Sequence, residues 1–352
     1  MNSFGKLFVT SIYGESHGGS VGVVLDGVKP GIKLDKEDFV SDLLRRKSGG
    51  LATTPRVEDD DVIIESGIFN GYTTGAPILL RFLNKNTKSK DYSNLVNHPR
   101  PSHADFTANY KYNGFNDYRG GGHFSGRLTL GIVASGVVAK KMLNGVSFGT
   151  KIVNLCGETD PKKYQDILKK TVEEKDSVGG IVEITITGVE KGLGEPYFDS
   201  VESKISHLLF SIGGVKGVEF GIGFKGASLK GSEFNDRIID ENGKTSTNNN
   251  GGINGGITNG NPIVVRVFVK PTPSIGIEQD TFNFKDKKVE ALEIEGRHDA
   301  AIIIRAMVVL EAACAMALAD LKMISDSYKS WFICHLWYNF LCILLRGITY
   351  YV

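Results

Sequence analysis

The segment that most constrains the fold is residues 300–323, which is apolar almost all round. Four charged residues interrupt it: Arg305, Glu311, Asp320 and Lys322. A helix without a polar face must be covered on every side, so the segment predicts a helix in the centre of a large core. A chain of 352 residues is long enough to build that core, as one large domain or two smaller ones.

The composition narrows the class of protein. Glycine is abundant, with 43 residues against an average share of about 7%, and no Gly-X-Y period accompanies it, so tight turns are expected rather than collagen. The 41 Lys and Arg residues nearly balance the 40 Asp and Glu residues. That balance argues against a sequence-independent nucleic-acid binder, and the 41% hydrophobic share argues against a disordered acidic chain. We therefore expect a globular protein without a nucleic-acid partner.

Regular elements are predicted from the spacing of apolar residues. Residues 35–47 are expected to form an amphipathic helix with Asp35 as its N-cap. Alternating apolar and polar residues at 181–187 indicate a strand with one buried face. The dipeptide Asn70-Gly71 predicts a turn between two strands. The remaining predictions are strands at 20–26, 61–69, 77–83 and 263–269, and helices at 131–143 and 201–211.

Cysteine usage and the N-terminus indicate the compartment. The cysteines, at 156, 314, 334 and 342, are not spaced as metal ligands or as a redox pair. The N-terminal residues lack the basic and apolar regions of a signal peptide. We therefore expect no metal site, a reducing environment and a cytoplasmic location.

The C-terminal tail, residues 324–352, differs in composition from the rest of the chain and is rich in large apolar residues. Its apolar run, 331–345, is shorter than the roughly 20 residues of a membrane span and contains His335 and Asn339, so we expect no membrane segment. Three explanations stay open: a helix at a subunit interface, a membrane-surface anchor, or a reading-frame accident at the end of the gene. The accident is preferred, with a tail poorly packed on a catalytic domain of residues 1–323.

Residues 100–127 combine glycine with groups that bind anions or move protons. Three glycines, 120–122, precede a predicted helix, an arrangement that offers backbone N–H groups to a phosphate. His103 and Asp105 are two residues apart, so on a strand they would share a face. A Gly-rich surface loop with incidental charges is the alternative, but the number of cations and histidines around the glycines favours function. The ionisable residues of this segment are Arg100, His103, Asp105, Lys111, Asp117, Arg119, His123 and Arg127.

Two further glycine-rich segments add to this chemistry. Residues 14–19 place His17 among glycines, where a backbone can approach a ligand closely, although a turn with a solvated histidine has the same sequence. Residues 250–256, followed by 270–274, contain paired glycines and a lysine. The G-x-G-x-x-G fingerprint is absent, so a dinucleotide-binding Rossmann domain is not indicated.

Residues 296–299 open the apolar helix. Arg297 would add a cation where the helix dipole already favours anions. Asp299 has two interpretations, a functional carboxylate or a plain N-cap, and the residue alone favours the cap.

Together, these segments indicate an enzyme for a small, highly anionic, phosphorylated substrate, with histidines as acids and arginines as anion ligands. No Ser-His-Asp elbow, Walker loop or metal motif competes in the sequence. The other class considered is a binding module that senses a phosphorylated metabolite. Sensing does not require proton-transfer groups, so catalysis is favoured.

In their order along residues 4–323, the segments resemble the chorismate synthase family. The matching stretches are FGKLF, GESHG, DLLRRK, SKDY, RPSHADFT, RGGGHFSGR, NGGINGGI, KPTPS and GRHD. Each stretch is weak evidence alone, whereas the ordered set is specific. The resemblance implies an α+β fold, a β-α-β sandwich with helices layered between two antiparallel sheets, assembled as a homotetramer.

The resemblance also implies the reaction. It indicates a lyase of the shikimate pathway, in aromatic amino-acid biosynthesis, that eliminates phosphate from 5-enolpyruvylshikimate 3-phosphate by an anti-1,4 route and forms chorismate. Reduced FMN is implied as a cofactor although there is no net redox change. Two sources of the reduced flavin stay open, reduction by NADPH on the protein and delivery from elsewhere.

Individual roles follow from the same resemblance. His17 matches a histidine near the flavin, His103 one that assists the leaving phosphate, and Asp299 an aspartate that relays a proton. Positions implied to bind FMN are His123, Phe124, Ser125, Gly213, Gly214, Gly255, Lys270, Pro271, Thr272, Pro273, Ser274 and Arg297. Positions implied to contact substrate or NADPH are Arg45, Arg46 and Arg127.

The sequence departs from the family pattern at two places. The commoner GGGRSSAR is GGGHFSGR here, so His123 replaces an arginine and a phosphate contact at that position would depend on pH. Leu51 lies about where a further arginine of the family is often found.

Overall fold

Two antiparallel sheets enclose a layer of helices in the computed structural model. It describes residues 2–54, 58–85, 95–294 and 298–348, with the backbone alone from 330 onward. The first half of the chain forms strands β1 (Ser3–Phe4), β2 (Val9–Gly14), β3 (Ser20–Asp26), β4 (Ile63–Ile64), β5 (Ile68–Phe69), β6 (Tyr72–Thr73) and β7 (Ile78–Leu83), and helices α1 (Glu37–Arg46), α2 (Asp105–Lys111) and α3 (Thr129–Met142). The first sheet has the order β1-β2-β3-β7-β4, with every neighbouring pair antiparallel.

The second half forms the other sheet. Its strands are β8 (Ser147–Leu155), β9 (Gly180–Thr187), β10 (Val215–Phe220), β11 (Ile253–Asn254), β12 (Ile257–Thr258), β13 (Ile263–Val269), β14 (Gln279–Asn283) and β15 (Lys288–Leu292), and its helices are α4 (Tyr164–Glu173), α5 (Val201–Ser211), α6 (Gly231–Phe234) and α7 (Ile303–Ile348). The sheet order is β10-β13-β9-β8, again antiparallel throughout.

Helices α3 and α7 form the middle layer. Helix α3 packs on β3 of the first sheet, α7 packs on β8 and β9 of the second, and the two helices cross each other. At the crossing, a Cβ atom placed on Gly136 would overlap with the Cβ of Ala312, so only glycine permits this separation. The layering confirms the predicted α+β fold with helices between two antiparallel sheets.

Most predicted elements are confirmed, and the differences are local. Helix α1 begins at Glu37, so the prediction of Asp35 as N-cap is wrong; the Asp35 N–H instead donates to Asp38 Oδ2 at 2.9 Å. Of the strand predicted at 61–69, two residues join the first sheet as β4. The Asn70-Gly71 turn forms as predicted, but it closes the separate hairpin β5–β6.

Helix α7 starts three residues later than predicted and continues through residue 323 to Ile348. The tail was predicted to pack poorly on the catalytic domain. Its side chains are described only up to residue 329, so most of this prediction lies outside the described residues. Within the described part of the chain, no helix is both long and apolar enough to cross a membrane.

The fully buried carboxylate of Asp320 ties the N-terminal segment to α7. One of its oxygens, Oδ1, accepts hydrogen bonds from the backbone N–H groups of Lys6, Leu7 and Phe8 at 2.8–3.1 Å. The other oxygen lies 3.1 Å from the Lys204 ammonium, which offsets its charge. A polar residue inside the apolar helix is thus explained by donors that lie more than 300 residues away in the chain.

We expect Asp320→Asn to destabilise the protein by about 3 kcal/mol. The neutral amide cannot offset the Lys204 charge, and its NH₂ group is a donor at a position where every neighbouring partner is also a donor. The matched control is Asp199→Asn, which weakens the exposed pair with Lys6 and should cost much less, because solvent screens that pair. Thermal unfolding at equal protein concentration measures both. Equal losses for the two variants would contradict this account of Asp320.

Candidate active site

The triple-glycine loop passes between the two predicted catalytic histidines. Gly120, Gly121 and Gly122 all have positive φ, at 59°, 79° and 52°, which side-chain-bearing residues rarely adopt. A Cβ on Gly120 would lie 2.6 Å from the His17 ring, and one on Gly121 would lie 3.7 Å from Cε1 of His103. The loop therefore brings two histidines that are 86 positions apart in the sequence to either side of one glycine strip.

The local structure of this loop differs from the prediction. The glycines form a kinked turn of positive φ between Arg119 and Phe124, and a 3₁₀ turn, Gly126–Leu128, precedes helix α3. They do not open the α-helix directly. The loop is anchored where the Ser16 N–H donates to the Gly122 carbonyl at 3.1 Å.

His103 is held by Asp105, whose Oδ1 lies 2.6 Å from Nδ1 of the ring. The contact was expected for two residues on a strand, and that reason is wrong: His103 lies in a turn and Asp105 begins α2. Arg100 binds the same carboxylate with Nε at 2.7 Å and Nη2 at 2.8 Å. Burial would raise the pKa of Asp105, but the hydrogen bonds from Arg100 and His103 outweigh it and hold that pKa below its ordinary value.

The 270–274 segment lies next to Arg100 and His103, although it is far from both in the sequence. Ser274 Oγ accepts a hydrogen bond from Arg100 Nη1 at 3.0 Å, and Lys270 Nζ donates to the Ser102 carbonyl at 2.7 Å. The Lys270 N–H donates to the Gly214 carbonyl, which brings the 213–214 pair close. Burial lowers the pKa of Lys270, and the charge of Lys216 adds to that effect. Pro271, Thr272 and Pro273 complete the same segment, with the Thr272 carbonyl bound by Ser177 Oγ.

A cavity of about 90 Å³ opens beside these residues and is lined by His103, Asp117, Gly121 and Phe124, among others. The Phe124 ring is half exposed there. Ligand pockets usually measure roughly 300–1,000 Å³, so this cavity can hold only part of a ligand.

Arg46 and Arg127 share one buried carboxylate, that of Asp60. Arg46 Nη1 lies 3.2 Å from Oδ2 and Arg127 Nη1 lies 2.8 Å from Oδ1. The remaining Arg46 donors bind Thr129 Oγ1 and the Gly126 carbonyl. Burial lowers the pKa of Arg46, with Arg305 and Arg127 adding to the effect and Asp60 opposing it. Both arginines were predicted to contact substrate or NADPH, and here their guanidinium groups bind partners within the chain.

Asn84 connects this pair to the His17 loop. Arg127 Nε donates to Asn84 Oδ1, and Asn84 Nδ2 donates to the carbonyls of Glu15 and Gly18 at 3.0 and 2.8 Å. Neither Asn84 nor Asp60 was predicted from the sequence. Asp60 belongs to an acidic run, residues 58–61, and that run is the one signal for it in the sequence.

Asp299 belongs to the same network. Arg305 Nη1 lies 2.9 Å from its Oδ2, and the Thr54 N–H donates to Oδ1 at 2.8 Å. Arg305 Nε also donates to the Arg46 carbonyl at 2.9 Å. Because α7 begins at Ile303, Asp299 is too far ahead of the helix to be its N-cap, and that interpretation is wrong.

Several predicted site residues lie apart from this group or are engaged otherwise. His123 contacts the Gly14 carbonyl through Nδ1 at 2.8 Å and Asn2 Oδ1 through Nε2 at 3.1 Å. Ser125 Oγ accepts from the Arg127 N–H. Gly255 lies in the β11–β12 turn, where an added Cβ would meet no atom within 4 Å. Arg297 and the SKDY stretch, 89–92, lie outside the described residues.

Arg45 belongs to a separate cluster around the buried carboxylate of Glu311. Its guanidinium binds both oxygens of Glu311, at 2.9 and 2.6 Å, and Glu311 also accepts from Lys140 Nζ and Thr150 Oγ1. Burial would raise the pKa of Glu311, but Arg45, Lys140 and Thr150 outweigh it and hold the pKa at about 2. This cluster joins α1, α3 and β8 to the first part of α7. Across the part of the chain that the structure describes, no group of three or more His, Cys, Asp or Glu residues could hold a metal ion.

Comparisons with known proteins show which family the chain is similar to. The family model described as chorismate synthase matches residues 8–323. A chorismate synthase of Chitinophaga pinensis is 56% identical over 93% of this chain and 98% of its own length, and one of Pyrococcus abyssi is 45% identical over 90% and 96%. A solved chorismate synthase structure superposes with a TM-score of 0.69 at 26% identity, covering 90% of this chain and 92% of that one. The chain therefore belongs to the chorismate synthase family and is a lyase of the shikimate pathway.

Proposed function

We propose that the protein binds reduced FMN and uses it in the anti-1,4-elimination of phosphate from 5-enolpyruvylshikimate 3-phosphate, which yields chorismate. The observation that carries this proposal is the pair of histidines on either side of the triple-glycine strip, His17 and His103. One strip of backbone without side chains, bordered by two proton-transfer groups, suits a flat cofactor lying against a substrate. We assign the catalytic domain to residues 1–323 and regard 324–352 as an appended tail.

The residues present fit a flavin and a phosphorylated substrate. A side chain at Gly121 would occupy the space in front of His103, and glycine keeps that space free. Lys270 donates one of its three ammonium protons to Ser102 and has others to offer an anion. When bound, reduced FMN would supply an electron that is returned by the end of the turnover. The chain itself must bind the phosphate, protonate the leaving group and remove the ring proton.

His103 is proposed as the acid for the leaving phosphate, since its ring borders the cavity and is oriented by Asp105. His17 is proposed to act on the flavin side of the strip. Asp299 is proposed to relay a proton, with its carboxylate held in place by Arg305 and the Thr54 N–H. Arg46 and Arg127 support this site through Asp60. For either arginine to contact substrate or NADPH, this network would have to rearrange.

We further propose a homotetramer that works in the cytoplasm. Several aromatic side chains are almost fully exposed in the single chain, among them Phe115 at 92%, Phe198 at 93% and Phe224 at 81%. Exposed apolar side chains of that size favour an interface between subunits. Cys156 and Cys314 carry free thiols, which suits a reducing compartment.

The central test is an anaerobic assay of phosphate release from 5-enolpyruvylshikimate 3-phosphate. Turnover is expected with chemically reduced FMN and not with oxidised FMN. A parallel arm with oxidised FMN and NADPH decides whether the protein reduces its own flavin. Equal turnover with oxidised FMN alone, or none with reduced FMN, contradicts the proposal.

Replacing either histidine tests the acid–base roles. His17→Ala and His103→Ala are each expected to lower the rate by about 10²-fold or more, while FMN binding largely survives. His207→Gln is the matched control, because that exposed histidine on α5 contacts Phe4 away from the site. Steady-state rates and FMN titration are the measurements. A parallel loss of melting temperature and rate would instead make the affected histidine structural.

Asp299→Asn separates a proton relay from a structural ion pair. The amide can still accept the Thr54 and Arg305 hydrogen bonds, so we expect a loss of stability of about 1–2 kcal/mol, while a group that cannot ionise should abolish most of the rate. Rate and melting temperature are measured together across pH. A nearly unchanged rate would show that Asp299 acts only as a partner of Arg305.

A further inference from the structure

We propose that Asp105 is a positioning residue that keeps a proton on Nδ1 of His103 and thereby leaves Nε2 to face the triple-glycine strip. The kinetic part of this proposal rests on the proposed function, whereas the orientation of the ring does not. The starting point is the 2.6 Å distance between His103 Nδ1 and Asp105 Oδ1.

Two arrangements of hydrogens compete around Nδ1. Arg100 Nη2 lies 3.1 Å from Nδ1, so this nitrogen could accept a hydrogen bond from the guanidinium, which would put the proton of a neutral ring on Nε2. In that case an unprotonated ring nitrogen would lie 2.6 Å from a carboxylate oxygen, and two acceptors repel each other at that distance. A proton on Nδ1 turns the same contact into a short charge-assisted hydrogen bond.

The position of Arg100 agrees with the second arrangement. Its Nη2 donates to Asp105 Oδ1 at 2.8 Å, and the His103 ring donates to the same oxygen. Two donors that share one acceptor are necessarily close, so the 3.1 Å separation of Nη2 and Nδ1 needs no bond between them. Arg100 also keeps the Asp105 carboxyl ionised, since its buried guanidinium binds both oxygens.

The group is fixed from a remote part of the chain. Ser274 Oγ accepts from Arg100 Nη1, so Ser274, Arg100, Asp105 and His103 form one sequence of contacts across 174 positions. With Nδ1 held by Asp105, the other side of the ring is directed at the loop: Cε1 and Nε2 are the ring atoms nearest to a Cβ built on Gly121, at 3.7 and 3.9 Å. Nε2 is therefore the nitrogen that a ligand on the glycine strip can reach.

This tautomer suits an acid that releases phosphate. As the carbon–oxygen bond of the substrate breaks, its electron pair remains on the phosphate oxygen, and the Nε2 proton of the imidazolium passes to that oxygen. The ring that results is neutral and carries its proton on Nδ1, which is the form bound by Asp105. Asp105 thus stabilises the histidine in the state that follows proton donation as well as the state before it.

The first test is spectroscopic and needs no substrate. Protein labelled with ¹⁵N-histidine is examined at a pH where the His103 ring is neutral, with its signals among the seven histidines identified by their loss in His103→Gln. The wild-type ring should be protonated on Nδ1. In Asp105→Asn, Arg100 should take the amide oxygen, the amide N–H₂ should donate to Nδ1, and the ring proton should move to Nε2.

The second test is kinetic. We expect Asp105→Asn to lower kcat by about 10²-fold or more with little change in KM, and Asp105→Glu to recover part of that loss. Glu183→Gln is the matched control, because Glu183 is buried to a similar degree, binds Lys151 and Arg266, and lies on β9 away from the histidines. Its kcat should stay at the wild-type value, and melting temperatures confirm that each variant is folded.

Each outcome decides the matter. A wild-type ring protonated on Nε2, or a ring that keeps Nδ1–H in Asp105→Asn, overturns the assignment of the tautomer. A tautomer that moves while kcat stays constant overturns the role in catalysis. If the wild-type protein gives no turnover at all, the proposed function fails, and the spectroscopic result still decides how His103 is held.

Discussion

The carboxylate of Asp60 is the interaction on which the site depends, because two buried guanidinium groups converge on it. Arg46 and Arg127 have side chains only 3% and 7% exposed, and neither could be buried without an anion between them. From this pair the network extends in two directions. Arg127 continues through Asn84 to the loop that carries His17, and Arg46 continues through its carbonyl to Arg305, the partner of Asp299. One buried carboxylate thus fixes two of the three proposed catalytic residues relative to each other.

The third, His103, is placed by a separate constraint. A Cβ on Gly120 would lie within 3 Å of the His17 ring and one on Gly121 within 4 Å of the His103 ring, so both histidines lie next to the glycine strip. A side chain at Gly120 would displace the His17 ring, and one at Gly122 would collide with the Asp117 carbonyl. Asp105 therefore orients His103, whereas the absence of side chains on the loop leaves room for both rings next to it.

Local patterns in the sequence predicted most of the strands and helices, since apolar spacing and turn dipeptides act over a few residues. The alternation at 181–187 and the Asn70-Gly71 turn are examples. The pairing of His103 with Asp105 was predicted for the wrong reason, because a turn and a helix start bring the two side chains together. Asp60, Asn84 and Arg305 were not predicted as site residues. Apart from Asp299, which lies six positions from Arg305, their partners are 14 to 259 positions away and leave no trace in local spacing. The resemblance to a family identified the histidines and Asp299, but it did not indicate how they are held.

The charged residues of the central helix show why core and site cannot be separated in this fold. Arg305 binds Asp299, Glu311 binds Arg45 and Lys140, and Asp320 binds the backbone of the N-terminal segment. Each therefore attaches a different segment of the chain to a helix that is otherwise apolar. Between these charges the helix packs against α3 closely enough to require Gly136, and α3 begins two residues after Arg127, on the C-terminal side of the glycine strip. A shift of α7 would consequently displace Asp299, which is bound to Arg305. It would also displace α3, which follows the glycine strip next to the two histidines. The rigidity of the core therefore determines how precisely the site residues are placed.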